Sequence, residues 1–398
     1  MTSLKSVTKA TVGLFFCFWA LAASAQQSHW AEAMAAGKLA RQNGDFLGAE
    51  KQFSNALKEA ETFEASDPRL PESLASLAGA LRASGKYADA EPLYKRALAI
   101  QEETLGANSA EVAADANNLA VLYYDEDQYA QAEPLYKRAL AIWENTLGPE
   151  SSRVAGCAHD LGMVFHDEGK YAEAESLYKR ALTIWGQAGD PNSDELASTL
   201  RRLGDIYRTQ GRFGEAEPVY QQAVAIWEKA GDAQTVEMAE TLGHLGDFRW
   251  DRSEYAEAAP LYERALKIWT REAAESMEVA TAMSRLADTY RTQDRYIEAE
   301  PLYLHALAIE ERHLGPNHLD VATTVSSLAL LYNCEGEYSK AEPYYKRAVE
   351  IRQANLGPNH PDVVQSRQVY AELLRQLGRE KEAEKVAAQV QRSSAHSL

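Results

Sequence analysis

Apolar residues recur along the chain at helical spacing, in paired segments broken by a turn, and the whole pattern repeats every 41 or 42 residues. In the third step Val112, Leu119, Leu122 and Tyr123 face one way, a turn follows, and Ala132, Leu135, Tyr136, Ala139, Leu140 and Ile142 continue. Each step therefore reads as a helical hairpin. A block of the form Tyr-x-x-Ala-Glu-Pro-Leu-Tyr-Lys-Arg-Ala opens the second segment. Its leading position, used below as a landmark, is Phe46, Tyr87, Tyr129, Tyr171, Phe213, Tyr255, Tyr296 and Tyr338, with Glu380 as the ninth. Self-similarity at a fixed period means one supersecondary unit stacked on copies of itself around a continuous core. The pattern predicts an all-α solenoid of about nine stacked hairpins over 29–395, with repeats at 29–64, 71–105, 110–147, 152–188, 193–230, 235–272, 276–313, 318–355 and 360–392.

Turn chemistry supports the hairpins. Gly44, Gly85, Gly169, Gly211, Gly336 and Gly378 stand two residues before the landmark, where a helix end favours a left-handed residue. Asp127, Ser253 and Asp294 take that place elsewhere, and Ser253 fits it least well. Three residues after the landmark comes Ala49, Ala90, Ala132, Ala174, Ala216, Ala258, Ala299, Ala341 or Ala383, a position that must let two helices approach closely. Ten residues after it, alanine recurs from Ala56 to Ala348, and Val390 breaks the series. Prolines at 92, 134, 218, 260, 301 and 343 lie near the start of the second helix, where a missing N–H is expected to cost least. Segments such as Leu356-Gly357-Pro358-Asn359-His360-Pro361 close one unit and launch the next. Charge at Glu380, Lys381, Glu382, Glu384 and Lys385 makes the last helix a capping element.

The Gly-x-Tyr turn, the alanines and the Leu-Gly or Ala-Gly step in the first helix resemble tetratricopeptide repeats. The longer period, with Ala-Glu-Pro-Leu-Tyr-Lys-Arg-Ala-Leu-Ala-Ile and Leu-Gly-Pro-Asn-His-Pro-Asp-Val, is similar to the variant found in kinesin light chains and many bacterial proteins. The resemblance covers roughly Trp30 to Val390 and implies a right-handed superhelix whose first helices line a concave, peptide-binding surface. Residues twelve, eleven, eight and five before the landmark then hold the bound segment. In this sequence they give Asn117, Asn118 and Tyr124; His159 and His166; Arg201, Arg202 and Arg208; His244 and Trp250; and Arg285 and Arg291. A cationic stripe with Tyr124 and Trp250 suits an acidic peptide segment or a C-terminal carboxylate, held by arginine forks and aromatic packing, with Asn117 and Asn118 on backbone amides. A second reading stands beside it. Asp205, Asp247 and Asp288 follow Arg202, His244 and Arg285 by three residues, so the charges can neutralise one another along each helix.

Composition narrows the partners. The net charge is −18, and without Lys5 and Lys9 the 39 remaining basic residues face 59 acidic ones, a balance of −20 that repels nucleic acid. Those two lysines precede an apolar run from Thr11 to Leu21 and the small residues Ala23-Ser24-Ala25, which reads as a cleaved signal peptide over 1–25 and export to the periplasm or beyond. No other stretch is long and apolar enough to span a bilayer. Cys157 and Cys334 lie four repeats apart, too far for a disulfide, and read as small core residues.

Four further features have bland readings. Trp143, Trp185, Trp227 and Trp269, each fourteen residues after a landmark, either pack between helix ends or form an exposed aromatic ridge. Lys95-Arg96, Lys137-Arg138, Lys179-Arg180 and Lys346-Arg347 follow Glu91, Glu133, Glu175 and Glu342 at four-residue spacing and read as a solvated face. His313, His318 and His360 fall in inter-repeat connections and suit turn roles. His159 and His166 lack the further ligands of a metal site, and no catalytic or nucleotide-binding motif appears, so neither cofactor nor small-molecule substrate is expected. The sequence thus points to a non-enzymatic protein-interaction module that binds an acidic segment. The alternative is a self-associating scaffold of a cell-envelope assembly.

Overall fold

The computed structural model describes residues 29–188, 194–229 and 235–394. The leader expected over 1–25 and the tail over 396–398 lie outside them. The described residues form helices and no strands, and the chain divides into two compact units, Met1–Pro191 and Asn192–Leu398. In the first, α1 (29–42) and α2 (Phe46–Ala60), α3 (Arg69–Ala83) and α4 (Tyr87–Leu105), α5 (Ala110–Asp125) and α6 (Tyr129–Leu147), and α7 (Ser152–Asp167) and α8 (Tyr171–Ala188) form consecutive hairpins. In the second, the hairpins are α9 (Asp194–Thr209) and α10 (Phe213–Lys229), α11 (Val236–Asp251) and α12 (Tyr255–Ala273), α13 (Met277–Thr292) and α14 (Tyr296–Leu314), α15 (Leu319–Cys334) and α16 (Tyr338–Leu356), and α17 (Pro361–Gln376) and α18 (Glu380–Ser394). Within each unit every hairpin packs on the next, the arrangement of an all-α solenoid.

Every landmark residue is the first residue of a second helix. The position two before it has a positive φ throughout, including 57° at Asp127, 61° at Ser253 and 58° at Asp294. The first helix ends each time in the double bond of a Schellman turn. In α3, for example, Lys86 N–H donates to the Leu81 carbonyl at 2.9 Å and Gly85 N–H to that of Arg82. Where Asp replaces Gly, its carboxylate accepts from the landmark hydroxyl, Tyr129 on Asp127 and Tyr296 on Asp294. First helices begin on caps: Ser109, Ser151, Thr235 and Ser276 accept from the backbone three residues on, and His318 and His360 do so two residues on, giving those histidines the turn role expected of them.

Packing is built on small against large. The alanines three residues after the landmark are fully buried in all nine hairpins. Nine residues before the landmark, Gly162, Gly204 and Gly246 lie under the rings of Tyr178, Tyr220 and Tyr262, where an added Cβ would come within 2.6–2.8 Å of ring carbon. Two expectations are corrected. The prolines are the sixth residues of their helices, beyond the N-terminal amides that lack intrahelical partners, so each removes a bond that the helix would otherwise make. Cys157 is a core residue, its thiol 3.3 Å from the Tyr136 carbonyl and pushed up in pKa by burial, whereas Cys334 is exposed because it ends α15 at the turn.

Candidate functional site

The predicted stripe falls in both units. In the second unit α9, α11 and α13 carry a ladder of alternating charge. Arg201 lies 3.5 Å from Asp205 on its own helix and 3.4 Å from Glu240 on the next. Arg208 reaches Asp247 at 3.5 Å and Asp251 at 3.3 Å, and Arg291 meets Asp288 at 3.4 Å. His244 Nδ1 stands 2.7 Å from Asp205, and Arg202 is half-buried beside Arg201. Arg285 differs: its side chain is 52% exposed and its contact, with Asp247, is 3.7 Å long.

The acids are fixed from below. Tyr220, Tyr262 and Tyr303 on the second helices donate to Asp205, Asp247 and Asp288 at 2.5–2.6 Å. Burial raises the pKa of Asp205, but the hydrogen bond and charge of His244, with Arg201 and Tyr220, outweigh it and hold the carboxyl below its ordinary range. Arg201, Arg208 and Arg291 are therefore oriented by neutralising partners, and the charge that the stripe offers outward is smaller than its arginine count. Much of the pairing runs between neighbouring first helices, a pattern that spacing along one helix does not show.

In the first unit the stripe is polar and aromatic. Tyr124 donates to Asp167 at 2.5 Å, and the ring of His166 approaches Asp167 at 3.0 Å. Three aromatic residues five before a landmark lean on the landmark ring: Tyr124 on Tyr129, His166 on Tyr171 and, in the second unit, Trp250 on Tyr255, at centroid distances of 5.8, 5.7 and 4.8 Å. His159 packs on Tyr178 and Trp185. Asn117 and Asn118 are half-buried on α5.

The same register positions line open clefts. A cleft of about 450 Å³ in the second unit lies between α15 and α17 over α16, lined by Leu319, Leu330, Val369, Tyr345 and Arg352 among others. Leu330 and Val369 stand eight and eleven residues before their landmarks and are 36% and 41% exposed. A cleft of about 630 Å³ in the first unit is lined from α1 to α5, with Ser76, Gly79, Arg82 and Asn118 at stripe positions. Neither cleft is legible in the sequence, because the small and apolar residues at these stripe positions carry no charge pattern.

The tetratricopeptide repeat model matches residues 31–103, 69–145, 111–167, 153–229, 237–312, 278–354 and 320–393, nearly all of the described chain. The chain belongs to the tetratricopeptide repeat family. Among solved structures it is similar to a signal-transduction ATPase with a tetratricopeptide repeat sensor from Pyrococcus horikoshii, at 15% identity and a TM-score of 0.63, covering 89% of this chain and 52% of that one. The apo form of RapI matches at 15% identity and a TM-score of 0.55, covering 71% of this chain and 98% of that one, and both likenesses concern the fold. BtubC (BKLC) from P. vanneervenii is 26% identical with a TM-score of 0.48, covering 58% of this chain and 93% of that one. No curated protein matches the chain.

Away from the stripe, the second helices of this tetratricopeptide array carry charge that serves stacking. Lys95, Lys137 and Lys179 pair with Glu91, Glu133 and Glu175 at 2.5–2.7 Å, as their spacing predicts. Lys346 instead approaches Glu350, because Glu342 is taken by Arg379 at 2.6 Å. The arginine of each dipeptide reaches back one repeat: Arg96 to Glu61, Arg138 to Glu102, Arg180 to Glu144 and Arg347 to Glu311, at 2.5–2.8 Å. Such exposed pairs contribute on the order of 0–1 kcal/mol each. Trp143, Trp185 and Trp227 are buried, and Trp269 is half-buried, so the tryptophans pack between helices and do not form an exposed ridge. Among the described residues no helix is long and apolar enough to cross a membrane, and no group of three His, Cys, Asp or Glu is placed to hold a metal.

Proposed function

We propose that this tetratricopeptide repeat protein is an exported, non-catalytic module that binds a segment of another polypeptide on the face lined by its first helices. One observation carries the reading: in each unit an open cleft is lined by stripe positions, twelve, eleven and eight before the landmark in the second unit and these together with five before it in the first. Side chains already fixed by neighbouring helices lose little entropy when a partner arrives. Arg285, exposed and loosely paired, is the contact for an acidic side chain in the second unit, with Trp250 on the adjacent α11 for an apolar one. Arg201, Arg208 and Arg291 position this surface through their aspartates.

The test is a crosslinked pull-down from cell-envelope extract with wild type and with Arg202→Glu combined with Arg285→Glu. Proteins recovered by wild type and lost with the double variant, at unchanged helicity, support the reading. Identical recovery from both removes the acidic contact.

A further inference from the structure

The cleft of the first unit contains a buried acid with an unpartnered oxygen. Asp115 stands on α5 with 6% of its surface exposed, and its Oδ2 accepts no hydrogen bond. Asp115 stands fourteen residues before a landmark, and at three other positions of this register the side chain bonds to the residue fourteen earlier in sequence. Trp227 Nε1 donates to Thr241 at 3.2 Å, Thr324 donates to Glu310 at 2.9 Å, and Arg352 donates to Ser366 at 2.7 Å. For Asp115 that residue is Gln101, which lines the same cleft and makes no bond to it. A carboxylate shielded from water without a donor is costly, and burial pushes its pKa up to about 7.

The remaining charges favour a cation. Arg82 is taken by Asp125 at 2.7 Å, and Glu72 is paired with Lys38 at 3.2 Å. That leaves Asp115 and the exposed Glu111 facing Arg41 along the walls, in a protein of net charge −18. The cleft, about 630 Å³, has room for a long side chain, and Gly79 at its wall presents no Cβ. The Arg352 bond to Ser366 shows that this register already accommodates a guanidinium.

We propose that the cleft between α3 and α5 takes a lysine or arginine side chain of the partner segment, with Asp115 as its counter-ion. The inference rests on the first-helix face being the binding surface, and it adds a basic residue to what that surface selects. Ion pairing between a buried carboxylate and an incoming cation supplies the donor that Gln101 does not.

The experiment titrates the full chain by calorimetry with blocked heptapeptides identical except for a central Lys, Gln or Glu, and with cadaverine as a free amine. The lysine peptide is expected to bind at least about tenfold more tightly than the glutamine peptide, a difference of ~1.4 kcal/mol. Asp115→Asn should abolish that preference while leaving the circular dichroism unchanged. Gln101→Arg places the missing donor within the chain, so it should raise the melting temperature and also abolish the preference. Equal binding of the lysine and glutamine peptides to wild type, or a preference that survives both variants, overturns the proposal. So does cadaverine matching the lysine peptide, which would make the cleft a site for free amines. If the lysine preference is absent but binding still falls with Arg285→Glu, this inference alone fails. If no peptide binds at either unit, the reading of the face fails with it.

Discussion

Tyr220 donates its phenolic hydrogen to the buried carboxylate of Asp205 at 2.6 Å, and Asp205 in turn meets His244 at 2.7 Å and Arg201 at 3.5 Å. A residue in the core of one helix thereby sets the direction of charges on the face of two others. The same link recurs at Tyr262 with Asp247 and at Tyr303 with Asp288. In the three hairpins that carry an aspartate eight residues before the landmark, the tyrosine core and the polar face are one structure.

Tyr220→Phe is expected to cost about 1–3 kcal/mol, because it leaves a buried, charged acceptor short of a donor. Tyr345→Phe is the contrast, since its hydroxyl is buried without a hydrogen-bond partner and its loss should be neutral or slightly stabilising. Thermal or urea unfolding of the two variants beside the parent measures the difference. Equal losses would mean that the hydroxyl of Tyr220 does not serve Asp205.

Ser253 holds a left-handed backbone, with φ at 61°, at a turn where six other hairpins use glycine. Its hydroxyl has no bond to the landmark ring of the kind Asp127 and Asp294 make. Ser253→Gly should therefore relieve strain and raise stability by roughly 1 kcal/mol, whereas Gly211→Ser should lower it by a similar amount. A pair of melting curves decides the sign at each site.

Glu310 occupies the register place held by tryptophan in four other repeats, is 6% exposed, and has its pKa pushed from 4.5 up to about 7 by burial, with Thr324 donating against the shift. A carboxyl with a raised folded pKa contributes its full stability below the unfolded value, near 4.5, and loses it as pH rises through 7. Glu310→Gln should match the parent at pH 4–5 and exceed it at pH 8, by on the order of 2–3 kcal/mol. Unfolding followed at both pH values checks this, and a constant offset between the two proteins would contradict it.

The fold was legible because it is specified locally and many times over. Each hairpin needs a left-handed turn residue, a small residue where helices touch and a landmark at the helix start, and those fall within a few residues of one another in every repeat. The stripe was legible as a set of positions for the same reason. Its pairing was not, because Arg208 with Asp251, Arg82 with Asp125 and Tyr124 with Asp167 join residues 43 apart, and such contacts depend on how neighbouring hairpins stack. Composition likewise hid the clefts, since Gly79, Leu330 and Val369 matter there for shape. Spacing also misdirected Lys346, whose predicted partner Glu342 is claimed by Arg379 from the next hairpin.

Site-specific photocrosslinking tests the account most directly. A benzophenone side chain introduced at Asn118 or Arg285, on first helices, should capture the partner, whereas the same group at Lys95 or Lys267, exposed on second helices, should not. Crosslinks arising only from Lys95 and Lys267 would place binding on the opposite face and contradict the account.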